Sequence, residues 1–203
     1  MKKMIALIVM GAAVILSGLP QNATAQTSAD LAGKFLDAAK SASDSQLGDI
    51  ASELTGKIQS FTALLGSNSS VSSIKSQVDS TLKALTGGQD SAALTSAFKL
   101  ASAAKLTPEQ ITLAKQVGNV ASAYVVRKNF ASLEGSQDDV ATIVKSLRNG
   151  QIAPAVPAMK NVATNAHLTD DQKQLISKVA DKYAPGWKKA GAALDAIKKL
   201  PGF

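Results

Sequence analysis

Cysteine is absent from the 203 residues and histidine occurs once. No disulfide can therefore stabilise the chain, no thiolate can act as a nucleophile, and no cluster of thiolates or imidazoles can hold a metal. Serines are plentiful, but no histidine and acid accompany them in a triad motif. Aromatic residues make up only 4%. The apolar fraction rests largely on alanine and aliphatics, which predicts close helix contacts and modest burial per residue. Arginine is scarce, with Arg127 and Arg148 the two in the chain. A nucleic-acid partner, which favours arginine interleaved with aromatics, is not expected. Gly87-Gly88 lacks the glycine pattern and the preceding strand of a nucleotide loop. No cofactor and no metal are expected.

The first 25 residues have the layout of a secretory signal peptide. Lys2 and Lys3 supply the charged start, Ile5 to Leu16 the apolar stretch, and Ala23-Thr24-Ala25 a small-residue cleavage site. Ser17, Gly18 and Pro20 interrupt the apolar run before the ~20 residues that span a bilayer. Cleavage after Ala25 predicts an exported protein, periplasmic or extracellular, whose mature part starts at Gln26.

What is present is helical periodicity and a pattern that recurs. Thr107-Pro108-Glu109-Gln110 reads as a capping box with proline at the first helical position. Ser43-Asp44-Ser45-Gln46 and Thr169-Asp170-Asp171-Gln172 read as two further copies. Ahead of each box stands an opening segment: Gln26 to Phe35, Gln89 to Phe98, and a weaker Gln151 to Met159. Behind each, Leu82-Lys83-Ala84-Leu85 runs into Gly87, Val144-Lys145-Ser146-Leu147 into Gly150, and Ile197-Lys198-Lys199-Leu200 into Gly202. These markers predict an all-α domain over 26–203, with about nine helices in three consecutive three-helix repeats, 26–88, 89–150 and 151–203, as a short solenoid or irregular bundle.

Each helix is expected to bury one stripe, such as Leu47, Ile50, Leu54, Ile58 and Phe61, or Ile111, Ala114, Val117, Ala121 and Tyr124. Gly118, inside the second of these helices, marks a close helix crossing. Pro185-Gly186 is expected to cut short the helix holding Leu175, Val179 and Tyr183, with Trp187 belonging to a final helix.

Candidate chemistry is sparse. His167 precedes a capping box and reads as a helix-end surface residue rather than a base. Asp138-Asp139 and Asp170-Asp171 fall in first turns, where acids complement the helix dipole. The net charge of +7 concentrates toward the C-terminal third, where Lys182, Lys188, Lys189, Lys198 and Lys199 form the candidate contact for an anionic lipid or polymer. The leading expectation is a non-enzymatic exported helical protein that binds or scaffolds a protein or envelope component. The alternative is a carrier or adaptor for an apolar ligand or an anionic membrane surface. A hydrolase with a site assembled from distant residues ranks below both.

Overall fold

Residues 27–65, 72–103 and 105–187 are described by a computed structural model, with the backbone alone at 165 and 184–187. They form eight α-helices and, among the described residues, no strand. In chain order these are α1 Ser28–Lys40, α2 Ser45–Leu65, α3 Ser72–Thr86, α4 Asp90–Leu100, α5 Pro108–Phe130, α6 Gln137–Arg148, α7 Ile152–Asn165 and α8 Asp170–Trp187. The all-α expectation holds. The leader, Gly202 and any ninth helix fall outside the described residues.

Local chemistry starts these helices. The Gln110 amide donates to the Thr107 hydroxyl at 3.2 Å while the Thr107 amide donates to the Gln110 side chain at 2.8 Å. Thr169 and Gln172 make the same pair of bonds, the Gln172 amide donating at 3.3 Å and the Thr169 amide at 2.9 Å. The third expected box is corrected by one residue. Asp44, not Ser43, precedes α2, and its carboxylate accepts from the Gln46 amide at 3.0 Å. A carboxylate is the stronger acceptor for an exposed helix start. A box the sequence reading passed over, Thr27 with Asp30, starts α1.

Two joints between helices are built alike. After α3, Gly88 takes φ +71°, and the Gln89 amide donates back to the Ala84 carbonyl at 2.8 Å. After α6, Gly150 takes φ +66°, and the Gln151 amide donates to the Ser146 carbonyl at 2.8 Å. This is the Schellman closure, in which only glycine reaches the left-handed backbone without a side-chain clash. The next helix begins at once, so α3 lies against α4 and α6 against α7.

α5 is the centre. It packs against α2, α4, α6 and α8, and from Val117 to Val126 every residue except Asn119 is buried. The single stripe expected for it is thus too narrow. A helix walled on four sides buries its whole circumference, and its alanines and valines let the neighbours approach. At Gly118 a methyl would stand 3.4 Å from Cδ1 of Phe98 and 3.8 Å from the Ala97 carbonyl on α4, ordinary packing distances, so the helices touch there without the crossing demanding glycine. The helix expected to stop at Pro185-Gly186 instead runs on to Trp187. Pro185 removes one backbone bond, while Leu175, Ile176, Val179 and Ala180 are buried and anchor α8 against its neighbours. α7 tolerates Pro157 inside it in the same way.

Candidate functional site

α5 meets the part of the chain before it and the part after it in two different ways. On the first side it lies along α2 and reaches α1. Arg127 Nε donates to the Asp44 carboxylate at 2.6 Å, and this hydrogen-bonded guanidinium holds the Asp44 carboxyl below the usual carboxylate range against a smaller opposing effect of burial. Tyr124 meets Phe35 edge-on with ring centres 5.0 Å apart, and Phe35 is 1% exposed. Burial, with the Asp90 charge adding to it, pushes the Tyr124 phenol upward. Nearby, Arg148 on α6 pairs with Glu53 on α2 at 2.6 Å. This joint is closed.

On the second side α8 approaches α4 and α5. Tyr183 again presents an aromatic edge to a phenylalanine of a preceding helix, Phe98, but the centres are 6.3 Å apart and Phe98 is only half-buried. The side chain that covers the rest of the ring is Lys182, whose ammonium sits 5.1 Å from the ring centre. Two cavities open beside this pair, and Phe98 and Lys182 border both.

The smaller cavity, 340 Å³, lies between α4, α5, α8 and the α6–α7 joint. Its walls are Ala97 and Phe98 of α4, Ala101 in the turn that follows, Ala114 and Gly118 of α5, and Ile152 of α7. Small residues on α4 and α5 let those helices close on each other while leaving space under Phe98. Polar groups come from Lys115, Lys182, and the Tyr183 hydroxyl, which donates to Asn119 Oδ1 at 2.7 Å. No carboxylate stands among the described residues that line it. Desolvation lowers the Lys182 amine, and the nearby Lys115 charge lowers it further. Burial pushes the Tyr183 phenol up to about 12, the Ser122 hydroxyl opposing the shift.

The larger groove, 860 Å³, runs on the other side of Phe98 and is lined by both signs of charge, Asp170 and Asp181 with Lys173, Lys178 and Lys182. Lys178 reaches across it to α4, donating to the Ser91 hydroxyl at 2.7 Å, the Ser91 carbonyl at 3.1 Å and the Thr95 hydroxyl at 2.8 Å. Three acceptors match the three donors of an ammonium. In a neighbouring cavity that shares Ser91, Gln174 and Lys178 with the groove, Asp90, 8% exposed, accepts from Lys128 at 3.0 Å and Asn129 at 2.8 Å.

Of the lysines expected to meet an anionic partner, Lys182 lies at the two cavities, while Lys188, Lys189, Lys198 and Lys199 fall outside the described residues. His167 is exposed just beyond the end of α7, as expected of a helix-end residue. Asp138 and Asp139 lie in the first turn of α6, and Asp170 and Asp171 in that of α8. Asp139 also accepts from Asn161 of α7 at 3.2 Å. Among the described residues no group of acids and histidine is placed to hold a metal, and no helix is long and apolar enough to cross a membrane. The sequence reading missed Phe98, Lys115, Asn119 and Tyr183 as neighbours. Gly118 was the one available signal, because it stands against Phe98 and lines the same recess.

Fold and cleft together define an all-α protein with an apolar, lysine-bordered recess. No protein-family model, curated protein or solved structure matches the chain.

Proposed function

We propose that the protein is an exported, non-enzymatic binding protein made of three successive three-helix units, and that its binding place is the recess under Phe98. The observation that carries this reading is the open second joint, an apolar recess of 340 Å³ where the corresponding ring on the first side, Phe35, is 1% exposed. Recesses of about 300–1,000 Å³ with apolar walls and a few polar groups are the usual shape of small-ligand sites.

The repeat supports the same reading. Gln110, in the box that starts α5, also donates to the Leu64 carbonyl near the end of α2 at 2.9 Å. Gln172, in the box that starts α8, donates to the Asn129 carbonyl near the end of α5 at 2.7 Å. Each box thus ties its helix to the end of the long helix before it, and the last such tie leaves one side open. Lys178 of α8 reaches the Ser91 hydroxyl and carbonyl and the Thr95 hydroxyl of α4, a tie that holds the two helices together beside the open side. The leader, Lys2 to Ala25, supports export.

The test is titration of the purified chain with a neutral apolar fluorophore such as N-phenyl-1-naphthylamine. One saturable site per chain is expected, and Ala101→Trp, which fills the recess from the half-exposed turn after α4, abolishes it while the circular dichroism spectrum stays helical. Absence of saturable binding, or binding unaffected by Ala101→Trp, overturns the reading. N-terminal sequencing of the exported protein is expected to begin at Gln26.

A further inference from the structure

Resting on that reading, we infer that the recess takes a single-chain carboxylic acid, its hydrocarbon laid along Phe98, Ala101 and Ile152 and its carboxylate held by Lys115 and Lys182.

The hydrocarbon half follows from the walls. Ala97, Ala101, Ala114, Gly118 and Ile152 offer no hydrogen bond from their side chains, so a polar body placed there would lose its water without replacement. The size limits the ligand. At 340 Å³ the space is near the lower end of small-molecule sites, which suits one chain and not the paired chains of a membrane lipid. Nor does the chain continue past Phe98 into the larger groove, because that groove is lined by Asp170, Lys173, Lys178 and Asp181.

The carboxylate half follows from charge. Both charged groups on the recess are lysines, one exposed and one half-buried against Phe98, and no acid among the described lining residues offsets them. Burial and the neighbouring Lys115 charge already disfavour the Lys182 ammonium. An anion between the two amines removes that repulsion and gains a charge-assisted hydrogen bond from each. The Tyr183 phenol contributes no charge at neutral pH, being pushed up to about 12. Its hydroxyl, bonded to Asn119 Oδ1 at 2.7 Å, closes the polar end and ties α8 to α5. A cationic amphiphile of the same length is excluded by the same two lysines.

The experiment is calorimetric titration of the full chain with decanoate, 1-decanol and decyltrimethylammonium, which share one hydrocarbon and differ in charge, with phosphatidylglycerol vesicles as a fourth arm. Decanoate is expected to bind one site roughly tenfold tighter than decanol, with decyltrimethylammonium not binding. The double variant Lys115→Gln/Lys182→Gln is expected to bring decanoate to the level of decanol while naphthylamine binding persists. Equal affinity for decanoate and decanol, retention of the preference in the double variant, or binding to vesicles without binding of decanoate each overturns the inference. Naphthylamine separates the two levels. If it binds and decanoate does not, the carboxylate inference fails and the binding reading stands; if neither binds, both fail.

Discussion

Phe35 on α1 and Phe98 on α4 stand at matched places in the sequence, and each meets a tyrosine from a later helix that reaches back to it. The first pair is 5.0 Å between centres with Phe35 1% exposed; the second is 6.3 Å with Phe98 half-buried. The difference comes from the helix that does the covering. Aligning the boxes at Thr107 and Thr169 sets Gly186 of α8 opposite Tyr124 of α5, and Lys182 and Tyr183 opposite Val120 and Ala121. The tyrosine of the second joint therefore sits about one turn early, and a lysine ammonium lies over the ring where the first joint buries an aliphatic residue. The clamp differs too. Asp44, before α2, pairs with Arg127, whereas Thr107, before α5, carries no charge for such a pair. Small changes along one amphipathic helix thus decide whether a joint becomes core or cleft.

Truncating the two phenylalanines gives the widest separation. Phe35→Ala is expected to lower the unfolding free energy by about 3–5 kcal/mol, the range for a fully buried aromatic, while Phe98→Ala lowers it by about 1 kcal/mol. Urea denaturation checks both, and equal losses would erase the distinction between closed and open joints.

The Asp44–Arg127 clamp is next. Asp44→Ala removes a helix-start acceptor and strands Arg127, whose side chain is 20% exposed, for a loss of about 2 kcal/mol. Because the folded state holds this carboxyl below its ordinary 3.8, its stabilisation is present above that pH and is lost as pH falls through the folded value. Asp44→Asn should therefore flatten the acid limb of the stability curve. An unchanged acid limb would remove the clamp from the account of the closed joint.

At the open joint, Tyr183→Phe breaks the bond to Asn119 and is expected to lower stability by about 1 kcal/mol. The folded phenol is raised from 10.0 to about 12, so the neutral form is favoured by folding. That contribution is complete below pH 10 and is lost as pH rises toward 12. Melting temperature against pH should fall over this window in the parent and less steeply in Tyr183→Phe; parallel curves would show that the phenol is not buried.

Effects of the same size test what the joints share. Gln110→Ala and Gln172→Ala each remove a capping bond and a tie to the preceding long helix, for about 1 kcal/mol apiece. Losses that differ by more than twofold would mean that the two ties are not one device used twice.

Much of the scaffold was legible because its signals are local. A threonine, two residues and a glutamine suffice to start α5 and α8, and Gly150 suffices to end α6, since each works through bonds within one turn. The shift from Ser43 to Asp44 was not legible, because both residues can cap and the choice fell to the one that also reaches Arg127, 83 residues away in sequence. Pro185-Gly186 misled for a related reason. A local stop signal was overridden by the buried face of α8 that precedes it.

The sequence by itself determined that the described chain is helical, where most of its helices start, and that its core would be made of small aliphatic side chains. Propensity, capping and periodicity act over a few residues and need no distant partner. Only the tertiary structure decided that α5 is walled on four sides and that Phe98, Lys115, Asn119 and Tyr183 share one recess. These residues belong to three helices, and their meeting depends on how closely α8 can approach α4 and α5. That distance is fixed by side-chain volume and charge summed across the joint, and no local pattern in the chain records that sum.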